Sequence, residues 1–183
     1  MKKVIKGKNF NLIRFKPGDE KLYDLVHTIF NEEIVKGFIN PEYLKFKSKS
    51  KVIKWVDSNV KSKCEVWYSI RAKKKYIGYI CYKSRKDFPE ACEISIVLSK
   101  GYRGFSIGFQ ITKVLIDYIV QNKLFTYIIA YSNKTNKLAE KLLKNLGFKK
   151  TNRLHKLITK KLYNENISLN ILLNYNLFTI FIC

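Results

Sequence analysis

The spacing of apolar residues predicts two helices before any long strand in the first third of the chain. Asn11–Phe15 has the composition of a short opening strand, and a Pro-Gly pair ends it. Apolar residues then recur at helical spacing, which predicts a helix over Lys21–Phe30 with Asp19 as its N-cap. These apolar positions are Leu22, Leu25, Val26 and Ile29. A second helix is predicted over Val52–Val60.

The pattern then changes to short apolar and aromatic runs that are typical of strands. Three such runs follow one another at Val66–Ile70, Tyr76–Tyr82 and Ala91–Leu98. The three lysines at 73–75 separate the first two runs and have the length of a hairpin turn. Consecutive strands joined by short turns predict an antiparallel meander.

In the second half of the chain, segments with the apolar spacing of a helix alternate with segments that resemble strands. A wide apolar stripe over Ile107–Ile119 predicts a helix, and Thr126–Tyr131 is a short, fully apolar strand. Asn136–Leu146 is again helical, Phe148 returns to strand, and Ile167–Tyr175 is the final predicted strand, followed by a short tail. This order describes an α/β domain whose central strand-helix-strand unit is parallel.

Composition and charge fit one compact domain and limit its partners. The 183 residues are 46% hydrophobic, which predicts a single domain over 1–183 with a core from about 10 to 175. The formal net charge of +22 attracts polyanions, so a basic nucleic-acid-binding module is one alternative. The lysines are spread along the whole chain rather than gathered on one segment. This spread argues against nucleic-acid binding and indicates that the positive charge reflects the overall composition of the chain.

The cysteines, histidines and termini give expectations about metals and location. The four cysteines form no CxxC pair and there are only two histidines, so no metal site is predicted. Free thiols favour a reducing, cytoplasmic location. The N-terminus lacks the apolar run of a signal peptide, and the apolar C-terminal segment is shorter than the roughly 20 residues that a membrane helix requires. That segment instead offers a surface for a homodimer.

The loop between the strand Ala91–Leu98 and the next helix carries the most informative chemistry. Small residues there let the backbone approach a ligand, and the first amides of a helix have no partner inside it. The helix dipole adds positive potential at the same point, so the loop is suited to a phosphate or diphosphate. A structural turn with glycine for close packing is the alternative.

Two motifs resemble a known family. Arg103–Gly108 resembles the (Arg/Gln)-x-x-Gly-x-(Gly/Ala) acetyl-CoA signature of GNAT N-acetyltransferases. Downstream, Asn136-x-x-Ala139 followed by Leu146-Gly147-Phe148 is similar to the helix of that family that packs beside the cofactor. Within the superfamily, Ala91–Leu98 and the segment Arg153-Leu154-x-Lys156 resemble the RimJ/RimL branch, which acetylates protein N-termini, and related amino-sugar and polyamine acetyltransferases.

The resemblance implies a fold and a set of cofactor contacts. The fold would be a mixed, mostly antiparallel twisted sheet with helices on both faces and a splayed central parallel strand pair. The pantetheine arm of acetyl-CoA would pair with backbone groups of Ile96, Val97 and Leu98. The diphosphate would be held by backbone amides of Arg103, Gly104, Phe105, Ser106, Ile107 and Gly108. Asn136 would hydrogen-bond the pantetheine or a phosphate.

The resemblance also implies direct attack of a neutral amine on the thioester. Glu93 is the expected general base, with a surface glutamate as the alternative, and a backbone N–H near Val97 would stabilise the oxyanion. Glu32 and Glu33 are expected to shape the acceptor pocket, with a solvated turn as the alternative. Ser106 replaces a family glycine and Leu143 replaces the usual proton-donating tyrosine. These departures keep open a catalytically weak GNAT-fold protein that binds acyl-CoA as a sensor.

Overall fold

The computed structural model describes residues 2–32, 35, 48–86, 88–104, 106–151 and 175–181. Its strands form one sheet of eight in the order β1-β2-β3-β4-β5-β6-β8-β7. The strands are β1 Val4–Lys6, β2 Asn11–Arg14, β3 Glu65–Ala72, β4 Lys75–Ser84, β5 Ala91–Leu98, β6 Tyr127–Asn133, β7 Lys149–Lys150 and β8 Tyr175–Phe181. Neighbouring strands are antiparallel except for β5 and β6, which run parallel.

Four α-helices are described, and their starts follow the capping residues of the sequence. They are α1 Glu20–Asn31, α2 Lys49–Lys61, α3 Ile107–Gln121 and α4 Lys137–Asn145. The predicted cap of α1 is confirmed, because Asp19 Oδ1 accepts a hydrogen bond from the Leu22 amide at 3.3 Å. Asn136 caps α4 in the same way, accepting from the Ala139 amide at 3.0 Å. A single 3-10 turn, Lys100–Tyr102, lies between β5 and α3.

Helices cover both faces of the sheet, as expected. Side chains alternate along each strand, so Ile80 of β4 joins the core beneath α3, whereas Tyr79 joins the core beneath α1 and α2. In the first core Leu115 of α3 is fully buried, and in the second Val26 of α1 is fully buried. Each such side chain contributes about 1.5–3 kcal/mol by leaving water, which fixes the helices on the sheet.

The parallel strands β5 and β6 separate after a short paired stretch. They pair only from Ala91 opposite Tyr127 to Glu93 opposite Ile129. Beyond that point β5 stays paired with β4 as far as Leu98, and β6 stays paired with β8 as far as Asn133. The sheet therefore has a wedge-shaped opening between the carboxyl-terminal halves of β5 and β6, which confirms the predicted splayed pair. This opening is called the fork below.

A glycine on β4 keeps β5 in place beside the fork. An added Cβ at Gly78 would lie 2.2 Å from the carbonyl oxygen of Val97 and 3.0 Å from Cα of Leu98. Both are main-chain atoms that cannot move independently of the strand, so only glycine fits this register.

Two elements differ from the sequence-based expectation. The first strand, β1, was not predicted, because three residues among lysines give no readable period. The predicted final strand, Ile167–Tyr175, lies outside the described residues apart from Tyr175. The described strand begins there and extends to Phe181, through residues assigned to a tail. Asn176, a polar residue within this apolar segment, is buried in β8 and pairs in register with Ser132.

None of the helices in the described ranges combines the length and the apolar character needed to cross a bilayer.

Candidate active site

The fork ends beside the start of α3, where the chain turns sharply. The Ser99 amide donates to Ile77 O at 2.9 Å, which fastens the end of β5 to β4. The 3-10 turn follows at once, with the Tyr102 amide donating to Ser99 O at 3.0 Å. Residues 103–106 then lead into α3, so the turn and the helix start lie at the mouth of the fork.

The start of α3 presents main-chain donors suited to an anion. The first intrahelical bond runs from the Gln110 amide to Ser106 O at 3.2 Å, so the amides of Ile107, Gly108 and Phe109 have no partner within the helix. Gly104 has a φ of +84° and an added Cβ there would meet nothing within 4 Å, so this backbone borders open space. A 15-residue helix also directs its positive end at this space. These features fit the predicted diphosphate site.

Ser106 adopts a backbone conformation that favours glycine. Its φ is 55° and its ψ is −7°, in the left-handed region, and its side chain makes no capping hydrogen bond. For a non-glycine residue this conformation costs about 1–2 kcal/mol. The backbone therefore keeps the shape that a glycine would adopt at this position, and the exposed serine side chain lies beside the proposed anion site.

The main chain of β5 faces the fork at alternate residues. The Ser99 amide points to β4, and so does the carbonyl of Val97, which lies next to Gly78. In an antiparallel strand the amide and carbonyl of one residue point the same way, so the Val97 amide also faces β4 rather than the fork. By the same alternation, Ile96 and Leu98 direct their main-chain groups toward the fork.

The side chain of Arg103 folds back onto the protein. Its Nε donates to Leu98 O at 2.7 Å, which engages one of the fork-facing carbonyls. Its Nη2 lies 2.7 Å from Oε2 of Glu32, the residue that ends α1. The backbone amide of Arg103 donates to Lys100 O at 3.4 Å, a long bond within the 3-10 turn. Of the predicted site residues, Glu32 and Arg103 are therefore in contact with each other, whereas Glu33 and Phe105 lie outside the described residues.

The Glu93 side chain lies on the face of β5 that is directed toward α1 and α2, opposite the face covered by α3. Its Oε2 is 2.7 Å from Nη1 of Arg85, its Oε1 is 3.2 Å from Nζ of Lys83, and its side chain is 15% exposed. The Arg85 guanidinium also lies 5.8 Å from the ring centre of Tyr131 on β6. Glu93 belongs to the last pair of residues that joins β5 to β6, so this cluster lies at the closed end of the fork.

The α4 motif has a local structural explanation. Asn136 uses Oδ1 to cap the helix at Ala139, which accounts for the Asn-x-x-Ala spacing and leaves its NH2 group for another partner. Leu143 is buried in the core beneath α3, at the position where a proton-donating tyrosine was expected.

Sequence reasoning missed Lys83, Arg85 and Tyr131. Strand alternation places Lys83 on the same face as Glu93, and this signal was available in the sequence. The proximity of Tyr131 depends on the parallel register of β5 and β6, which sequence alone does not provide. Within the described residues, no group of three or more metal-binding side chains comes together.

The family comparison matches most of the chain, and the solved structures that resemble it share its fold. Residues 10–149 match the acetyltransferase (GNAT) domain family. Among solved structures, the chain resembles RimL, a ribosomal-protein alpha-N-acetyltransferase in complex with coenzyme A, with a TM-score of 0.75, 14% identity and coverage of 98% of each chain. No curated protein sequence matches the chain.

Two further solved structures share the fold. MccE, a microcin self-immunity acetyltransferase in complex with acetyl-CoA and AMP, has a TM-score of 0.72 and 12% identity, covering 96% of this chain and 93% of that one. Spermidine N-acetyltransferase from Vibrio cholerae, in complex with CoA and spermine, has a TM-score of 0.66 and 16% identity, covering 78% and 82%. At these identities the likeness establishes the fold.

Proposed function

The chain belongs to the GNAT acetyltransferase family, and we propose that it transfers the acetyl group of acetyl-CoA to a primary amine in a ternary complex. The observation that carries this proposal is the fork: β5 and β6 part after Glu93 and Ile129, and the mouth of the opening lies beside the first amides of α3. The structural neighbours that were solved with CoA or acetyl-CoA support the same cosubstrate.

The cosubstrate supplies an activated thioester, and this chain supplies the groups that bind and orient it. We propose that the amides of Gly104, Phe105, Ser106, Ile107 and Gly108 hold the diphosphate. The Arg103 amide, which the sequence assigned to the same role, already donates to Lys100 O, so Arg103 borders this site rather than binding the diphosphate. The Asn136 NH2 group is the proposed contact to pantetheine or phosphate. Ile96 directs its main chain into the fork and is the proposed pantetheine partner, flanked by Val97 and Leu98.

The oxyanion donor is assigned by the direction of the main chain. The sequence placed it near Val97, whose amide faces β4, so we propose the neighbouring Ile96 amide, which faces the fork. A fixed N–H in a confined opening stabilises the negative charge that develops on the carbonyl oxygen. Leu143 cannot protonate the leaving thiolate, and a thiolate is already a tolerable leaving group near neutral pH.

Glu93 is the proposed proton acceptor, and its two cations set limits on that role. Arg85 and Lys83 both contact the carboxylate and compete with an incoming proton for its lone pairs. We therefore expect its contribution to lie at the low end of general-base catalysis, on the order of 100-fold. Together, Glu93, Arg85 and Lys83 carry one more positive than negative charge. This net positive charge also favours a neutral over a protonated acceptor amine.

A protein N-terminus or a small amino-bearing metabolite is the proposed acceptor. RimL, spermidine N-acetyltransferase and MccE define the range of acceptors seen on this fold. The net charge of +22 repels polycations at long range, which favours a protein N-terminus over a polyamine. We further propose a cytoplasmic location, consistent with the free thiols, and a homodimer formed through the C-terminal segment, where Phe181 is 58% exposed.

Replacing Ser106 tests the proposal without disturbing the fold. Aspartate tolerates the left-handed conformation and favours a helix N-terminus, so Ser106→Asp should preserve or raise the melting temperature. Its negative charge lies beside the proposed diphosphate and should weaken acetyl-CoA binding at least about 10-fold, because the repelled charges are close and only partly screened. Ser106→Asn is the neutral control of the same shape and should bind like the unmodified protein.

Isothermal titration with acetyl-CoA gives the binding constants, and mass spectrometry identifies acetylated products from peptides, amino sugars and spermidine. No binding by the unmodified protein at sub-millimolar acetyl-CoA would overturn the proposal. Binding without turnover on any amine would favour the alternative of a catalytically weak acyl-CoA-binding protein, for which Leu143 and the ion-paired Glu93 are the specific observations.

A further inference from the structure

Glu32 joins the end of α1 to the turn that precedes α3. One carboxylate oxygen, Oε1, accepts a hydrogen bond from the Lys100 amide at 3.3 Å. The other, Oε2, lies 2.7 Å from Nη2 of Arg103. The Glu32 side chain is 17% exposed, so its charge is largely withdrawn from water and depends on these two partners.

Arg103 continues the connection from Glu32 to the sheet. Its Nε donates to Leu98 O at 2.7 Å, so one guanidinium contacts both the end of β5 and the end of α1. The side chain is 25% exposed, and its Nη1 and Nη2 atoms are buried without a hydrogen-bond partner among the described residues. The 2.7 Å approach of Nη2 to Glu32 Oε2 is therefore a close ion pair rather than an aligned hydrogen bond. A guanidinium held this far from water needs a nearby anion, and Glu32 provides it.

These contacts hold the turn that leads into the proposed diphosphate site. Lys100 and Arg103 are held at the two ends of the 3-10 turn, and residues 104–106 follow immediately. Ser106 adopts a left-handed conformation that costs free energy, so the loop does not favour this shape by itself. Contacts from outside the loop are therefore required to hold the amides in position.

We infer that Glu32 and Arg103 are positioning residues that preset the cofactor loop, and that Glu32 acts on acetyl-CoA binding rather than on the acceptor. The inference rests on the proposed function and changes the role that the sequence suggested for Glu32. A ligand that binds only the preset loop has an apparent dissociation constant equal to the intrinsic one divided by the preset fraction. Weakening the Glu32 contacts lowers that fraction and raises the acetyl-CoA dissociation constant.

Glu32→Gln separates charge from hydrogen bonding. The amide oxygen can still accept from Lys100, whereas the ionic partner of Arg103 is lost. If the preset fraction falls to a tenth, the acetyl-CoA dissociation constant rises about 10-fold. The KM for the amine, and kcat at saturating acetyl-CoA, should stay within about 2-fold, since the loop is in place once the cosubstrate is bound.

Glu20→Gln is the matched control. Glu20 lies at the other end of α1 and pairs with Lys49 at 3.0 Å, so this variant also removes an ion pair of α1, but on the surface and far along the helix from the loop. Its acetyl-CoA binding should equal that of the unmodified protein. The double variant Glu32→Gln with Arg103→Met should lose less than the sum of the single effects, because each single change leaves one charge uncompensated.

The binding constants and KM values decide between the possible outcomes. A raised amine KM with unchanged acetyl-CoA binding in Glu32→Gln would overturn the inference and restore Glu32 to the acceptor pocket. Failure of the unmodified protein to bind acetyl-CoA would instead overturn the proposed function. If Glu32→Gln does not fold, Glu32→Asp is measured in the same way. Faster hydrogen exchange of the Lys100 amide, without a matching fall in melting temperature, is the expected sign of a loosened loop.

Discussion

The two sides of the fork present different kinds of chemical groups. The proposed cofactor side presents main chain, namely the first amides of α3 and the fork-facing groups of Ile96. The proposed acceptor side presents the charged side chain of Glu93, which is already paired with Arg85 and Lys83. Glu32, which the sequence assigned to the acceptor side, contacts Arg103 beside the cofactor loop instead.

This difference determines which half of the site can be read from sequence. A main-chain site follows from where a strand ends, where a helix starts and where small residues lie, and all of these are local features. The role of a carboxylate depends on the cations that reach it from other strands and helices. The motif Arg103–Gly108 therefore suffices to propose the cofactor side, while the sequence gives Glu32 and Glu93 without their partners.

The largest effect is expected at β5, which borders both the proposed cofactor side and the proposed acceptor side of the fork. Gly78 allows β4 to pack closely against β5. Gly78→Ala would place a methyl group 2.2 Å from the Val97 carbonyl oxygen, so the strands must separate. We expect a loss of about 3 kcal/mol in the free energy of unfolding, typical of severe overpacking, and loss of acetyl-CoA binding. Chemical denaturation and titration calorimetry measure the two effects.

Gly101→Ala is the control for that substitution, because nothing lies within 4 Å of an added Cβ there. Its stability should change by less than about 0.5 kcal/mol. Equal stability of the two variants would mean that β4 and β5 are not held at this spacing.

Glu93→Gln is expected to have the next largest effect. It distinguishes the structural role of Glu93, as the ion-pair partner of Arg85, from its proposed role as the general base. Arg85 would keep its position beside Tyr131 but lose an anionic partner, which costs about 1–2 kcal/mol at a site that water partly reaches. As the proposed base, Glu93 should also account for about a 100-fold loss in kcat/KM. Thermal denaturation and steady-state kinetics measure these separately.

Adding Arg85→Met to Glu93→Gln should recover part of the lost stability, since the cation that faced Glu93 is removed, but not activity. A fall in stability with kcat/KM reduced less than 10-fold would assign Glu93 a purely structural role. In that case, the described residues of the proposed acceptor side would form ion pairs that only stabilise the fold.

Much of the fold could be predicted because its signals are periodic or local. Apolar and aromatic runs identified β3, β4 and β5, and the apolar stripe identified α3. The final strand was predicted to end at Tyr175, whereas β8 continues to Phe181 with Asn176 buried and paired in register with Ser132 of β6. Such pairing involves residues far apart in the chain, so it is not visible in a local pattern.

The direction of main-chain groups also lay beyond the sequence. The signature indicated Ile96–Leu98 as a group, but which amide faces the fork depends on the register with β4. The register with β4 changes the proposed oxyanion donor from the Val97 amide to the Ile96 amide. It also leaves the Leu98 carbonyl facing the fork, where it accepts a hydrogen bond from Arg103.

Asn136 tests whether the cofactor side also uses a side chain. Asn136→Ala removes the cap of α4 and should cost about 1 kcal/mol of stability. Asn136→Asp keeps a capping oxygen but lacks the NH2 group, so it should preserve stability. If the NH2 group contacts acetyl-CoA, both variants should bind it about 5- to 10-fold more weakly, as expected for one lost hydrogen bond. Normal binding by Asn136→Asp would restrict Asn136 to capping.

Ser106→Gly asks whether the departure from the family glycine matters. Relief of the left-handed conformation gains about 1–2 kcal/mol, and the more flexible unfolded chain offsets about 0.4–1 kcal/mol of that gain. We expect a net stabilisation of about 0.5–1 kcal/mol, with acetyl-CoA binding unchanged within about 2-fold because the amide is kept. A large gain in affinity would show that the serine side chain obstructs the site.

The smallest effect is expected from thiol labelling, which compares how tightly the two faces of the sheet are closed. Cys81 is buried beneath α1 and α2, Cys92 is buried beneath α3, and Cys64 is exposed. Burial raises the pKa of the Cys81 thiol, and raises that of Cys92 to about 12. In a Cys183→Ser background, a thiol reagent at pH 8 should therefore modify Cys64 and leave the other two unmodified.

The same pKa shifts give a pH dependence with a definite sign. An unfolded chain releases its thiol protons near pH 8.5, whereas the folded protein keeps them, so the free energy of unfolding should fall as the pH rises from about 8.5 toward 12. Labelling of Cys81 and Cys92 should accelerate together over this range, since both require the chain to open. If Cys92 reacts well before Cys81, and acetyl-CoA suppresses that reaction, then the face beneath α3 opens on its own and the cofactor side is the more mobile half of the fork.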